Sequence, residues 1–267
     1  ILTSSDGTTW TSKTSGTSKD LWGVTYGNST WVTVGESGTI LTSSDATTWT
    51  SRTSGTSNLL GNVTYRNSTF MAIGNSGTIL TSSDGTGWTA RTSGTTKNLW
   101  GVTYGNSTWV ANGDNGTIIS SSDGTSWDNR TSGTTVEFNG LLYGNSTFVA
   151  VGDSGTILTS DNGTTWTSKT AGTSNEIREV IYDRNIFFGV GEDATYIYSQ
   201  NGTSWSSGSP TGIDASAYLS GVAYGLETWV IVGASGVIYT IKDEGTAYTL
   251  RTSGTTEHLR RVYSLVE

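Results

Sequence analysis

The side chains that could carry out chemistry do not form a catalytic set in this sequence. The chain has nine arginines, one histidine (His258) and no cysteine. Hydrolysis of a glycosidic bond needs two carboxyl groups that face each other, and Glu179 is the only acid in the segments expected to line a central site. A single histidine cannot form a histidine metal cluster. These residue types predict a protein that is not an enzyme and that carries no metal or other cofactor.

One sequence position is a better candidate for binding, because it varies between neighbours that are nearly constant. In successive copies of a repeat it reads Trp22, Gly61, Trp100, Asn139, Arg178, Ser220 and Arg260. The residue two places later is always aliphatic: Val24, Val63, Val102, Leu141, Val180, Val222 and Val262. Core packing would hold a position constant, whereas indole, amide and guanidinium groups at a channel mouth could stack on and hydrogen-bond a sugar or a peptide. We predict ligand-binding residues at Trp22, Trp100, Asn139, Arg178 and Arg260; the alternative is drift at a solvated strand end.

A repeat of 39 residues positions these side chains. Six tryptophans keep that spacing, and a tyrosine takes the seventh place after a small insertion: Trp10, Trp49, Trp88, Trp127, Trp166, Trp205 and Tyr248. Each unit holds four short runs rich in Val, Ile, Thr and Trp, separated by Gly, Asn, Asp and Ser, which is typical of strands and tight turns. No window has the 3.6-residue apolar period of a helix. Four antiparallel strands per repeat predict one blade of a β-propeller.

The number of runs predicts the size of the ring. The first, third and fourth runs each occur seven times, and the second occurs six times. The sequence therefore predicts an all-β fold, a single seven-bladed β-propeller over residues 1–267, with blade repeats that begin near residues 21, 60, 99, 138, 177 and 219. The closing blade would combine residues 259–267 with residues 1–20, so that terminal strands close the ring. That blade is expected to have three strands, unless the chain is a piece of a longer protein.

The link between the third and fourth runs carries a recognisable motif. Residues 159–166 read Thr-Ser-Asp-Asn-Gly-Thr-Thr-Trp, with Asp161, Gly163 and Trp166 at its fixed places, and Asp243 with Gly245 repeats it near the C-terminus. This pattern resembles the Asp-box (BNR repeat) of sialidase-like propellers. Other copies depart from it, because the acid moves one residue on: Asp6, Asp45, Asp84 and Asp123. The resemblance implies a structural turn at the blade periphery, away from any active site.

Charge restricts the partners that we expect. The formal net charge of −8 argues against nucleic acid and anionic membranes, and no apolar stretch approaches the roughly 18 residues that span a membrane. Several acids lie in the turns between the second and third runs: Glu36, Asp114, Asp153, Glu192 and Asp193. Such acids could bind Ca²⁺, but Asp and Asn are also preferred turn residues, and the spacing of a ring would keep them apart. We expect turn formation.

Three hypotheses for function follow, and each rests on resemblance. The first is structural display or adhesion on an extracellular, cell or virion surface, with carbohydrate binding at the mouth that carries Trp22 and Trp100. The alternative is a protein-assembly scaffold similar to the photosystem-assembly propellers with Asp-box repeats, in which a basic patch binds a partner of the same assembly. Arg178, Arg260 and Arg261 are the candidates for such a patch. The third is a degenerate glycosidase, which the residues support least.

Overall fold

The computed structural model describes residues 1–209, 212–242 and 248–264, and they form antiparallel sheets arranged in a ring. Six sheets have four strands in sequence order. The innermost strands are β3 (Leu21–Gly27), β7 (Leu60–Arg66), β11 (Leu99–Gly105), β15 (Phe138–Gly144), β19 (Ile177–Asp183) and β23 (Leu219–Gly225). The second strands are β4 (Thr30–Gly35), β8 (Thr69–Gly74), β12 (Thr108–Gly113), β16 (Thr147–Gly152), β20 (Ile186–Gly191) and β24 (Thr228–Gly233).

The outer two strands of each blade are shorter, and the fourth strand is exposed. The third strands are β5 (Ile40–Ser43), β9 (Ile79–Ser82), β13 (Ile118–Ser121), β17 (Thr156–Ser160), β21 (Tyr196–Ser199) and β25 (Ile238–Lys242). The fourth strands are β6 (Thr50–Arg52), β10 (Thr89–Arg91), β14 (Asp128–Arg130), β18 (Thr167–Thr170), β22 (Ser206–Gly208) and β26 (Thr249–Arg251). A separate two-stranded sheet contains β1 (Leu2–Thr3) and β2 (Thr11–Ser12). Short, charged outer strands limit pairing between the edges of different molecules.

The predicted number of blades is wrong: the described residues form six four-stranded blades, which we number 1 to 6 along the chain. Of the described residues, the β1–β2 sheet and the C-terminal segment 259–264 lie at the remaining position of the ring, and segment 259–264 forms no strand. The physical reason is that residues 1–267 contain six second runs for seven first runs, so segment 259–264 has no second strand among the described residues with which to form a ladder. Residues 265–267, which the sequence assigned to the closing blade, lie outside the described residues.

The hydrophobic core consists of layers between successive blades. In the layer between blades 1 and 2, Val32 and Ile40 of one blade pack against Val63, Phe70 and Leu80 of the next. The other blade interfaces repeat this arrangement. Because side chains of a strand alternate between the two faces of its sheet, each blade covers both of its neighbours. No helix in the described part of the chain is long and apolar enough to cross a membrane.

The turns between the second and third strands are short 3₁₀ helices in five blades: Glu36–Gly38, Asn75–Gly77, Asp114–Gly116, Asp153–Gly155 and Ala234–Gly236. The last residue of each is glycine, and Gly38 has a φ of 69°. A Cβ on Gly38 would also lie 2.0 Å from the carbonyl oxygen of Thr56. Both the left-handed backbone and the close approach require glycine, which accounts for the Gly-x-x-Gly pattern.

Candidate functional site

The variable position of the repeat is a β-bulge in all six blades. In blade 1, Leu21 pairs with Gly35 and Gly23 pairs with Val34, so Trp22 has no partner residue in the ladder. The same shift occurs in the other blades. A bulge leaves one residue unpaired and redirects its side chain. The seven residues that the sequence analysis compared (22, 61, 100, 139, 178, 220 and 260) are called the mouth residues below.

Two tryptophans and an arginine form an aromatic group among the mouth residues. The rings of Trp22 and Trp100 are stacked, with centroids 6.1 Å apart and planes inclined by 22°. Gly61 of the intervening blade makes room for them, because a Cβ there would lie 2.8 Å from the Trp100 ring. The guanidinium carbon of Arg260 lies 3.7 Å from the centroid of the Trp22 ring, which is a cation–π contact. Neighbouring side chains therefore already occupy the stacking surface of Trp22.

The part of the mouth beyond Trp100 is acidic. The side-chain amide of Asn139 hydrogen-bonds to two of its carboxylates. The Nδ2 of Asn139, whose residue is 5% exposed, donates to Glu176 Oε1 at 2.8 Å and to Asp153 Oδ1 at 3.2 Å. The indole N–H of Trp100 donates to Asp114 Oδ1 at 2.5 Å. Asp114 and Asp153 belong to the turns after the second strands. The acidic turns and the mouth residues, which the sequence presented as two separate rings, therefore form one surface.

Arg178 begins a cationic part of the mouth. Its Nε lies 2.6 Å from Glu176 Oε1, and its guanidinium carbon lies 4.9 Å from the centroid of the Tyr218 ring. Tyr218 in turn contacts His258 edge to face, with ring centroids 5.4 Å apart. Burial, followed by the charges of Arg260 and Arg178, lowers the pKa of His258. Two arginines therefore flank a neutral histidine, and Arg260 also pairs with Asp20 at 3.2 Å.

His258 and Ser220 lie 3.0 Å apart, but their hydrogen bonds do not resemble those of a nucleophile and its base. The Ser220 hydroxyl donates to the carbonyl of Leu259 at 2.7 Å. In the tautomer of His258 that carries its proton on Nε2, the serine oxygen accepts from that nitrogen, and the imidazole does not act as the base for Ser220. No carboxylate in the described residues hydrogen-bonds the other ring nitrogen of His258. No group of three or more His, Asp or Glu side chains among the described residues is placed to hold a metal ion.

Partial burial and neighbouring charges raise the pKa of two acids at the mouth. Burial is the main cause that raises the pKa of Glu176 to about 7, with further contributions from Glu192 and Asp153, while Arg178 opposes the shift. Burial and the charges of Asp114 and Asp153 also raise the pKa of Glu137. These acids therefore repel one another, and a cation bound at the mouth would reduce that repulsion.

A pH titration of stability tests this electrostatic arrangement. Glu176 binds its proton more tightly in the folded chain than in the unfolded chain, so its contribution to stability is complete below about pH 4.5 and is lost as pH rises through about 7. We expect the melting temperature of Glu176→Gln to fall less, or rise more, between pH 5 and pH 8 than that of the unchanged chain. The measurement is differential scanning fluorimetry across this range, with the exposed Glu227→Gln as control. An unchanged slope in Glu176→Gln would contradict the assignment.

The basic patch suggested by the sequence is divided in the structure. Arg178 and Arg260 both lie near His258, whereas Arg261 forms a 2.6 Å ion pair with Glu179. Sequence reasoning missed the residues that directly precede the innermost strands and carry much of the site: Asp20, Glu137, Glu176, Tyr218 and His258. Their signal was available, since this position also varies between the repeats. The sequence does not show that these residues lie beside the mouth, because that depends on how the connection between two blades folds.

The turns that resemble the Asp-box lie at the links between the third and fourth strands. Asp45 accepts from the backbone N–H groups of Thr47 and Thr48, both at 2.8 Å, and these bonds lower its pKa to about 2. In the copy that the sequence assigned to Asp161, it is Asn162 that accepts the corresponding bonds from Thr164 and Thr165. Gly163 has a φ of 73°, and Trp166 packs against Phe148. Asp243 and Gly245 lie outside the described residues.

Comparison with solved structures agrees with this architecture. A structure of YCF48 bound to a D1 peptide is 16% identical, with a TM-score of 0.74, and the match covers 94% of this chain and 87% of that one. The fold is a β-propeller. YCF48 from Cyanidioschyzon merolae gives 15% identity, a TM-score of 0.70 and coverages of 90% and 87%. Virginiamycin B lyase from Staphylococcus aureus gives 10% identity, a TM-score of 0.77 and coverages of 88% and 85%.

These likenesses show the fold alone, because every identity is 16% or lower. No protein-family model matches the chain, and no curated protein matches it. Membership of the Asp-box family therefore stays a prediction from the motif.

Proposed function

We propose that this chain is a non-catalytic β-propeller that binds a segment of a partner protein at the mouth residues, as a scaffold for assembly. The observation that carries the proposal is the continuous arrangement of two arginines and aromatic rings beside acids. Arg178 lies on Tyr218, and Arg260 lies on Trp22. An extended peptide offers charged, amide and aromatic groups in sequence, and such a surface could recognise each of them.

The arrangement of Trp22 supports a peptide over a sugar. A sugar ring binds an indole by lying flat on it, and Trp22 already carries the Arg260 guanidinium and stacks with Trp100. A sugar would have to displace one of these contacts. Display or adhesion through a glycan at this mouth, and a location on an extracellular, cell or virion surface, remain predictions from the sequence.

The similar structure of YCF48 was solved with a D1 peptide bound, so a propeller of this general shape can hold a polypeptide segment. Fold similarity at this level gives no residue of the site. The proposal for this chain therefore depends on its own mouth residues, and the experiment substitutes two of them.

The test is selection of peptides from a random-sequence display library on the full chain, followed by affinity measurements with the double variant Arg178→Ser/Arg260→Ser. We expect the affinity of the selected peptides to fall about tenfold or more, because arginine contacts in binding sites often contribute 1.4 kcal/mol or more. The control is Arg66→Ser/Lys169→Ser, which removes the same charge from the far end of β7 and from the outer strand β18.

Peptides that bind both double variants equally well would overturn the proposed site. A glycan array on the same preparations provides the contrasting outcome. Glycan binding that is lost in Trp22→Ala, without any selected peptide that depends on the two arginines, would replace the scaffold by the lectin-like adhesin.

A further inference from the structure

Five acids of the mouth form a row across blades 3, 4 and 5. Asp114, Asp153 and Glu192 each follow the second strand of their blade. The backbone N–H of each donates, at 3.0 Å, to the carbonyl of the residue that precedes the innermost strand of the same blade. In blades 4 and 5 that residue is itself an acid, Glu137 or Glu176. The fold thus places acids from the turns beside acids from the connections, and we call these five residues the acidic row.

Neighbours in the acidic row lie close enough to repel one another. Burial, and then the charges of Asp114 and Asp153, raises the pKa of Glu137. Burial is also the main cause that raises the pKa of Glu176 to about 7, with contributions from Asp153 and Glu192. Each acid of a connection therefore feels the turn acids on both of its sides, and the row is continuous.

The described residues bring little positive charge to the acidic row. Residues 98–193, which contain the whole row, are described without a gap. Arg178 pairs with Glu176, with 2.6 Å between Nε and Oε1. The other four members of the row form no ion pair with a described residue. One arginine therefore faces five carboxyl groups, and the row keeps a net negative charge.

A buried amide presents a hydrogen-bond acceptor at the same place. Asn139 is 5% exposed, and its Nδ2 lies between Asp153 and Glu176, to which it donates at 3.2 and 2.8 Å. Its Oδ1 accepts no hydrogen bond from any described residue. An acceptor in so buried a side chain gains more from a donor than an acceptor in open water does. Besides the acids, this amide is a second feature that points to a ligand with N–H donors.

We propose that the acidic row binds a basic side chain, lysine or arginine, of the partner segment that occupies the mouth; this inference rests on the proposed function. A basic side chain brings a positive charge and N–H donors, and the row lacks both. A metal ion fits less well, because no group of three or more His, Asp or Glu side chains among the described residues is placed to hold one. The net charge of −8 also favours approach of a basic segment.

The position of Arg178 makes the partner segment mixed in charge rather than uniformly basic. Its guanidinium pairs with Glu176 and so lies within the same surface as the acidic row. A second lysine or arginine brought to this point would be repelled. The segment that fits therefore has its basic residue over the members of the row in blades 3 and 4, and an acidic or amide group beside Arg178.

The test uses synthetic copies of the peptides selected on the full chain from the random-sequence library, together with versions in which each Lys or Arg is changed to Gln. We expect every peptide that depends on Arg178 and Arg260 to contain one basic residue whose change weakens binding about tenfold or more. With the protein variant Glu137→Gln/Asp153→Asn, the same change in the peptide should have little effect, because the opposing charges are gone. This coupling between peptide and protein identifies the contact.

The matched control is Asp128→Asn/Glu227→Gln. It removes the same two charges from the outer strand β14 and from the turn between β23 and β24, and the Asp128 side chain is 77% exposed. Peptide affinity and its dependence on salt should be unchanged in this control, whereas Glu137→Gln/Asp153→Asn should bind with a weaker dependence on salt. Differential scanning fluorimetry of each variant checks that it is folded.

Peptides that depend on the two arginines but bind equally well after their basic residues are changed would overturn this inference and leave the proposed function standing. A loss that is the same in Glu137→Gln/Asp153→Asn and in the unchanged chain would overturn it too, since the basic residue would then bind elsewhere. Peptides that depend on the acidic row and not on the arginines would keep the inference and overturn the arginine site. Selection of no peptide at all would overturn both.

Discussion

Glu179→Gln is expected to lower the free energy of unfolding by about 3 kcal/mol, because it leaves a largely buried arginine without its counter-charge. Glu179 and Arg261 form a 2.6 Å ion pair, and 18% of each side chain is exposed. The other carboxylate oxygen of Glu179 accepts the N–H of Val222 at 2.7 Å. One side chain thus joins blade 5, blade 6 and the C-terminal segment. The measurement is urea unfolding followed by tryptophan fluorescence.

A double-mutant cycle separates this ion pair from general damage to the fold. Arg261→Met should also destabilise the chain, and the double variant Glu179→Gln/Arg261→Met should cost clearly less than the sum of the two single changes. The exposed Glu227→Gln is the matched control and should change stability by less than about 0.5 kcal/mol. Strictly additive effects of Glu179→Gln and Arg261→Met would show that the pair does not hold the C-terminal segment in place.

The second large effect is expected at the aromatic position of the second strands. Phe148→Ala should cost about 3–5 kcal/mol, because Phe148 is 0% exposed and contacts Tyr143 and Trp166. Trp31→Ala, at the equivalent position in blade 1, should cost only about 1–2 kcal/mol, since Trp31 faces the incomplete position of the ring between blades 6 and 1 and is half-buried. Phe148 packs against an intact neighbouring blade, whereas Trp31 faces the incomplete position of the ring.

Chemical denaturation of the two variants side by side checks this contrast. Phe187 occupies the equivalent position in blade 5 and is also 0% exposed. Phe187→Ala should therefore lower the free energy of unfolding by about as much as Phe148→Ala. A loss at Trp31 as large as the loss at Phe148 would mean that the position between blades 6 and 1 is as well packed as the others.

The repeat predicted the strands of each blade closely, but it predicted the wrong number of blades. The four short runs expected in each repeat are observed as the four strands of each blade, since side-chain alternation and turn residues act locally. A blade requires that all four strands pair. The missing second run was noted in the sequence, but its consequence depends on long-range contacts: without that run, segment 259–264 has no ladder.

The candidate site was predictable as a set of positions and not as a surface. Variation at Trp22, Trp100 and Arg178 was visible because each repeat serves as a reference for the others. The β-bulge that redirects these side chains was not visible, because it depends on the register against the second strand. The contact of Arg260 with Trp22 joins residues 238 positions apart, and only closure of the ring brings them together.

The measurement that tests the central claim most directly is hydrogen exchange of the full chain with and without a peptide selected from the random-sequence library. Binding at the mouth predicts slower exchange around residues 20–22, 98–100 and 176–178, with no change there for Arg178→Ser/Arg260→Ser. Protection confined to the outer strands, or none at all for a peptide that binds, would contradict the account of the mouth as a site for polypeptides.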